Sequence, residues 1–340
     1  MISVEEALSF ILSYFEPLEP ENVYILDALE RVLAEDIFCD VAIPPFDNTS
    51  MDGYAVRAID IAAAGPETPV TLKVVADVPA GTVANVPVGP REAARIMTGA
   101  PLPKGADAIV PVEETDKWPD TGQEPRGKGA TVKIFKAAQV GANIRRTGKD
   151  MQPGELVLSH GTVIRPAEIA VLATLGHSQV QVTRRPRVAV LATGDELLDI
   201  DEPLSLGKIH NSNEYSNAAL VTRYGGVPVR LGIARDTVAD LTSKIRQGLA
   251  QGVDLFITSA GVSVGDYDVV KDVLQAEGEI RFWKVKMKPG KPLAFGTIQG
   301  VPLLGLPGNP TSAMVSFEQF ARPAILKMQG HTRLRKPTVE

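Results

Sequence analysis

From residue 185 onward the sequence alternates short apolar runs with stretches of helical period, and this alternation constrains the fold more than any other feature. Arg187-Val188-Ala189-Val190-Leu191-Ala192-Thr193 is apolar at successive positions and ends in a turn, as expected of a strand buried on both faces. A helical pattern follows near 213–224, a strand at 227–233, a helix at about 238–250 and a strand at 254–258. A helix at roughly 267–276, strands near 281–287, 293–298 and 301–305, and a last helix over 311–328 continue the series. Strands alternating with helices make βαβ units. The expected fold class is therefore multidomain α/β, with a central, mostly parallel three-layer α/β/α domain.

Upstream of this domain the texture differs. Val4, Ala7, Leu8, Ile11, Leu12 and Phe15 follow helical spacing, and Ser3 with Glu6 has the spacing of a capping box. Pro17 and Pro20 stop that helix, and a second helix is expected at about 26–33. Between about 43 and 165, Gly and Pro punctuate β-branched runs such as 70–75 and 131–135, which predicts small β-rich lobes. Acids concentrate in 113–124 and bases in 126–149, a pattern that also suits a solvated hairpin edge blunted by lysines.

Composition excludes several classes. Lys+Arg is 35 against 41 for Asp+Glu, a formal charge of −6, which argues against a general nucleic-acid binder. Cys39 is the only cysteine, so neither an intramolecular disulfide nor a thiolate zinc cluster can form. The four histidines show no metal-ligand spacing. No stretch approaches the ~20 apolar residues that span a bilayer, and the N-terminus lacks the regions of a signal peptide. The expectation is no membrane, no nucleic acid and a cytoplasmic location.

In open α/β sheets ligands bind outside the carboxyl ends of the strands, so the residues after each strand are the informative ones. They are Thr193-Gly194-Asp195-Glu196, Arg235-Asp236-Thr237, the segment from Ser259 to Asp268, and Leu306-Pro307-Gly308-Asn309-Pro310. The third segment, with Gly261, Ser263 and Gly265, allows close backbone approach before a helix. Gly308-Asn309-Pro310 also opens a helix, with Asn309 as N-cap and Pro310 at the first helical position. Either can be a phosphate cradle or simply a tight turn, and neither matches the P-loop or GxGxxG. Glu196, Asp236, Asp266 and Asp268 would repel a phosphate unless a hard cation lies between, so they suggest Mg²⁺-assisted phosphate chemistry. Asp236 equally suits the N-cap of the 238–250 helix, and Asp195 a cap or a turn. Lys286, Lys288 and Lys291, held by Pro289, Gly290 and Pro292, can present ammonium groups to an anion or form an exposed turn.

Together the segments PPFDNTSMDGYAV (44–56), RIMTGAPLPKGADAIVPVEET (95–115), GANIRRTGKDMQPGE (141–155), ATGDEL (192–197), SAGVSVGDYD (259–268), FWKVKMKPGKP (282–292) and LPGNPTS (306–312) resemble the molybdopterin molybdenumtransferase family, the MoeA and gephyrin E-domain group. They occur in the family order over nearly the whole chain. The resemblance implies a split linker lobe (1–45 and 142–182), an inserted β-rich lobe (46–141) and a molybdopterin-binding α/β domain (183–329). It implies that 330–340 begin a C-terminal β-domain of which most or all is lacking. The implied reaction inserts molybdenum from molybdate into adenylylated molybdopterin and releases AMP, with Mg²⁺ as cofactor. The implied assembly is a homodimer with a site shared between subunits, and a molybdopterin adenylyltransferase is an implied partner. Carried over by position, Asp52, Thr98, Glu196, Asp236 and Asp268 are the catalytic candidates, with Glu196, Asp236 and Asp268 also the implied metal ligands. Lys288, Lys291, Pro307, Pro310 and Arg145 join Gly261, Ser263, Gly265, Gly308 and Asn309 as substrate-binding candidates. The alternatives are a molybdopterin-binding or partner-anchoring scaffold without turnover, and an adenylyltransferase, which resembles the central domain alone.

Overall fold

A computed structural model describes residues 1–117, 128–259 and 278–336. The chain forms two compact units, Met1–Asp36 with Leu158–Glu340, and Ile37–Val157. The chain opens with helix α1 (Val4–Leu12). Its capping box is complete: the Ser3 amide donates to Glu6 Oε2 at 2.7 Å and the Glu6 amide to Ser3 Oγ at 3.0 Å. Strand Pro20–Tyr24 then pairs antiparallel with Gln179–Thr183.

The helix expected at 26–33 is not formed. Residues 25–30 are turns, Glu30 takes a left-handed φ of 63°, and Val32 and Leu33 are extended, bridging Val163 and Val182. The cause is tertiary pairing. The amides of Glu30 and Leu33, which a helix would use internally, donate instead to the carbonyls of Ile164 and Thr162. Such pairing readily outweighs helix propensity.

The second unit contains a five-stranded sheet built from β1 (Gly53–Val56), β2 (Val70–Val78), β3 (Glu92–Ile96), β4 (Ala108–Pro111) and β5 (Thr131–Ile134). The spatial order is β4-β1-β3-β2-β5, with β2 and β3 parallel and the other pairs antiparallel. All four residues of β1 are buried, as a central strand requires. The segregated charges meet at a sheet edge: Thr115 bridges Ile134, Lys136 pairs with Glu114 at 2.9 Å, and Asp116 accepts the Lys133 amide at 2.8 Å.

Returning to the first unit, the chain forms α2 (Pro166–Thr174), β6 (Arg187–Thr193), α3 (Ser212–Arg223), β7 (Val227–Ala234), α4 (Val238–Ala250) and β8 (Leu255–Ser259). Then follow β9 (Gly278–Lys284), β10 (Pro292–Ile298), β11 (Val301–Leu306), α5 (Pro310–Ser316) and α6 (Arg322–Met328). A π-helical turn, Phe317–Ala321, joins α5 to α6 just before Pro323, which has no amide hydrogen to donate. The helix expected at 267–276 lies outside the described residues. Among the described residues no helix is long and apolar enough to cross a membrane.

These strands make one six-stranded sheet in the order β7-β6-β8-β11-β10-β9, parallel from β7 to β11 and antiparallel beyond. The alternation within β6 sets its two faces. Val188 and Val190 pack with α1, α3, α5 and α6, whereas Ala189 and Leu191 pack with Leu241 and Ile245 of α4. On α1, Phe10 meets Trp283 and Phe295 edge-on, with centroids at 5.2 and 6.0 Å. Buried Glu214 of α3 accepts from the Gly232 amide at 3.1 Å and Arg230 Nε at 3.0 Å, next to the register shift between β6 and β7.

The MDGY stretch has a steric reason for its glycine. A Cβ at Gly53 would lie 2.1 Å from the Val110 carbonyl oxygen of the neighbouring strand. Gly53→Ala must therefore part β1 from β4, at a cost of about 1–3 kcal/mol. A lower urea midpoint for the second unit is the expected result, and an unchanged midpoint would contradict the packing described.

Candidate functional site

The order of the sheet fixes where a ligand can sit. From β6 the chain passes by α3 to β7 on one side, then by α4 to β8 on the other. The strand order therefore reverses between β6 and β8, the switch point at which a crevice opens beyond the carboxyl ends. Thr193 Oγ1 lies 3.5 Å from the Ser259 carbonyl across that gap.

Gly194 and Glu196 stand directly above it. Gly194 has φ 147°, and a Cβ there would lie 2.4 Å from Glu196 Oε2, so only glycine lets the Glu196 carboxylate fold back over the strand end. Asp195 and Asp236 face each other, each carboxylate accepting the other's amide at 3.3 Å. The N-cap of α4 is Thr237, which takes the Asp240 amide. Asp236 is thus not a cap, and its exposed carboxylate has no other partner among the described residues.

The loop after β11 is as expected: Asn309 caps α5 by accepting the Ser312 amide at 3.3 Å, and Pro310 opens the helix. Asn213, in the first turn of α3, donates from Nδ2 to the Gly308 carbonyl at 2.7 Å and ties this loop to the neighbouring helix.

The lysines reach the same rim by pairing register. β10 runs antiparallel to both of its neighbours, β9 and β11, with Lys284 opposite Pro292 and Ala294 opposite Gly305. The turn 285–291 therefore lies at the carboxyl end of β11. A Cβ at Gly290, whose φ is 96°, would lie 2.7 Å from Ser316 Oγ, so glycine there lets the turn approach the end of α5 closely. Lys286, Lys288 and Lys291 line one open pocket of about 360 Å³ with Met1, Val285 and Met287. Among the described residues none of these ammonium groups has a hydrogen-bond or ion-pair partner.

The rim is accordingly divided by charge. Acids stand at the ends of β6 and β7, lysines at β10 and β9, and the Gly308 loop between them. At about 4.8 Å per strand, five intervals separate the two extremes by roughly 24 Å. No single ion bridges that distance, but an extended ligand with separated anionic groups does. Sequence reasoning passed over Arg235 and Lys208. Arg235 donates to the Asp195 and Leu197 carbonyls at 3.3 and 3.1 Å, and Lys208 to the Asp195 carbonyl at 2.6 Å, so two cations offset the acid end. Arg235 could have been noticed beside Asp236, whereas Lys208 sits in a loop without motif character.

Gly261, Ser263, Gly265 and Asp268 lie outside the described residues. Among the described residues no three His, Cys, Asp or Glu side chains converge as metal ligands. Glu196 and Asp236 are exposed carboxylates not held by cationic side chains. Such hard oxygen donors suit Mg²⁺, which needs only one or two carboxylates when phosphates supply the rest.

In the second unit, Asp52 precedes β1 and Thr98 follows β3, and the Gly53–Ile96 pairing brings them together. Asp52 Oδ1 accepts both the Thr98 amide and Thr98 Oγ1–H at 2.7 Å. These bonds, the amide first, hold the Asp52 carboxyl below the usual aspartate range, with Arg95 assisting. Arg145 belongs to the same unit, pairs across from Asn48 and forms an ion pair with Asp150.

Comparison with known proteins agrees with this architecture. Residues 2–176 match the family described as the MoeA N-terminal region (domain I and II), and residues 189–327 match the probable molybdopterin binding domain. The chain is 41% identical over 336 residues to molybdopterin molybdenumtransferase 2 of Mycobacterium tuberculosis, covering 97% of this chain and 80% of that relative. It is 36% identical over 338 residues to molybdopterin molybdenumtransferase of Haemophilus influenzae, covering 99% and 80%. A crystal structure of the molybdopterin biosynthesis MoeA protein from Pyrococcus horikoshii superposes with a TM-score of 0.80 at 31% identity, covering 98% of this chain and 81% of that one. The α/β core with its auxiliary lobes thus defines a protein of molybdenum cofactor biosynthesis. The chain belongs to the MoeA molybdopterin molybdenumtransferase family.

The Asp52–Thr98 pair has a measurable signature. A carboxyl whose pKa is depressed on folding adds stability that is present above its unfolded value and is lost as pH falls through the folded one. Thr98→Val removes one donor and should raise the Asp52 pKa in a carboxyl-carbon NMR titration, moving that loss to higher pH. An identical titration curve would show that the hydroxyl plays no part.

Proposed function

We propose that this chain inserts molybdenum from molybdate into adenylylated molybdopterin and releases AMP. The observation that carries the reading is the division of charge along one rim. Three lysines without a hydrogen-bond or ion-pair partner among the described residues and a pair of facing acids with Glu196 stand at opposite ends of one rim of the sheet, with a helix-opening glycine loop between. A ligand with an anionic group at one end and a reacting phosphate bond near the acids fits that order.

On this reading Lys288 and Lys291 hold anionic oxygens of the substrate. Among the described residues their ammonium groups have no competing partner, so binding an anion relieves mutual repulsion. Pro307, Gly308, Asn309 and Pro310 hold the ligand's middle through a preorganised backbone. Glu196 and Asp236, with Asp268 expected beside them, would hold Mg²⁺, which when bound supplies charge neutralisation at the phosphate oxygens. Asp52, kept ionised by Thr98, is the acceptor offered by the second unit, and Arg145 is its anion-binding group. Membership of the family supports a homodimer with a shared site, and a molybdopterin adenylyltransferase as the enzyme class that supplies the substrate. Composition supports a cytoplasmic location.

A charge-assisted contact is worth about 1.5–3 kcal/mol. Lys291→Ala should therefore weaken binding of adenylylated molybdopterin by about 10-fold to 100-fold, with little change in melting temperature. Calorimetry showing full affinity would return the turn to a merely solvated role. AMP release from adenylylated molybdopterin with molybdate should require Mg²⁺ and stop with chelator. Release that ignores chelator would remove the metal from the reading, and tight binding with no release under any condition would make the chain a binding protein.

A further inference from the structure

Asp47 lies outside the residues assigned above, yet it joins the three segments that carry Asp52, Thr98 and Arg145. The stretch 43–52 runs between two others, 97–102 and 143–150. On one side the Gly99 amide donates to the Thr49 carbonyl at 2.9 Å, and the Thr49 amide to the Ala100 carbonyl at 3.2 Å. On the other, Asn48 and Thr49 pair with Arg145 and Ile144, and the Ser50 amide donates to the Asn143 carbonyl at 3.0 Å. Asp47 holds both sides. Its carbonyl accepts the Leu102 amide at 2.9 Å. Its carboxylate takes the Thr147 amide at 2.8 Å and Thr147 Oγ1–H at 2.9 Å on Oδ1, and Arg146 Nη1 at 2.5 Å on Oδ2.

The ion pair is the weaker part of this knot, because the Arg146 side chain is 56% exposed and solvent screens it. The bonds to Thr147 fix geometry, because one of them comes from the main chain. They clamp the turn that follows Arg145 from outside, while the Arg145–Asp150 pair closes the same turn from within. The layout repeats that of Asp52, which takes the amide and hydroxyl of Thr98 in the same way. Two aspartates of one short stretch each capture an amide and a hydroxyl from a threonine distant in sequence, one on each flank. The bonds from Thr147 and Arg146 also hold the Asp47 carboxyl below the usual aspartate range, so it stays charged at neutral pH.

We propose that Asp47 is a positioning residue that sets the placement of Arg145 relative to the Asp52–Thr98 pair. It acts through the 145–150 turn and does not touch substrate. This rests on the reading that Arg145 binds the anionic substrate.

A double-mutant cycle tests it, with Asp47→Ala, Arg145→Ala and both together. The readouts are the calorimetric Kd for adenylylated molybdopterin and the urea midpoint. A residue acting through another loses its effect when that other is absent, whereas an independent structural role costs the same in both backgrounds. Asp47→Ala should weaken binding about 10-fold in the native background, as expected for losing hydrogen bonds to a charged group, and not at all in the Arg145→Ala background. Asp47→Asn keeps an acceptor for Thr147 and should restore most of the affinity; Thr147→Val, which removes the hydroxyl donor of the same clamp, takes the place of Asp47→Ala in the cycle if that variant does not fold. Arg145→Ala without effect would sink the reading of Arg145 itself. A clear Arg145 effect, with Asp47→Ala (or Thr147→Val in its place) silent or equally costly in both backgrounds, would overturn the positioning role alone.

Discussion

The architecture of the larger unit depends on one constraint, the burial of β6 and β8 on both faces. Neither strand has a polar side to turn toward water, since six of the seven residues of β6 and all of β8 are buried. At roughly 25 cal/mol per Å² of apolar surface, leaving either face open would cost more than a domain of this size can sustain. Two helical layers must therefore cover the sheet, and chain connectivity can supply them only by crossing over. The crossovers force the strands parallel and send every loop at one end to the same rim. The acids, the glycine loop and the lysine turn share that rim because the core leaves them no other place.

Charge on the rim then follows from loop identity. Only β10 reverses direction; β9 runs with the parallel strands, so the short turn from β9 into β10 falls at the end where they finish. Had β10 run parallel to β9, the connection would have had to cross the sheet, which a link as short as 285–291 cannot do. Polarity of the site is in this sense a product of topology, with Gly290 against α5 and Gly194 beneath Glu196 as the local devices that keep both ends in place.

Much of this was legible in the sequence. The period from 185 onward announced the α/β core, and α4 and the capping of α1 and α5 follow from local chemistry that tertiary contacts do not contest. The stretch near 26–33 failed because its apolar spacing suits a helix while its amides are taken by residues about 130 positions away, which no local signal reveals. Asp236 shows the reverse case. Its position invited a capping role, but Thr237 one residue later does that work and leaves the carboxylate exposed. Arg235 and Lys208 act through main-chain carbonyls, so their role exists only once the loops have folded. Asp47 was equally hidden, because its partners sit about 100 residues downstream.

The insertion of the smaller unit has a consequence for folding order. Strand Pro20–Tyr24 must find Gln179–Thr183 across a separation that includes the whole of residues 37–157. The ends of that insertion are stitched by the Cys39 amide to the Glu155 carbonyl at 2.9 Å and the Gly154 amide to the Cys39 carbonyl at 2.7 Å. Once it has folded, the long loop behaves as a short one, because its two exits leave from adjacent points. The entropy of closing the outer pairing is then mostly already spent. During synthesis the insertion is also complete before Gln179 has been added. The chain can thus reach its most non-local contact by a hierarchical route, with an autonomous inner module forming first and the discontinuous outer one closing around its ends.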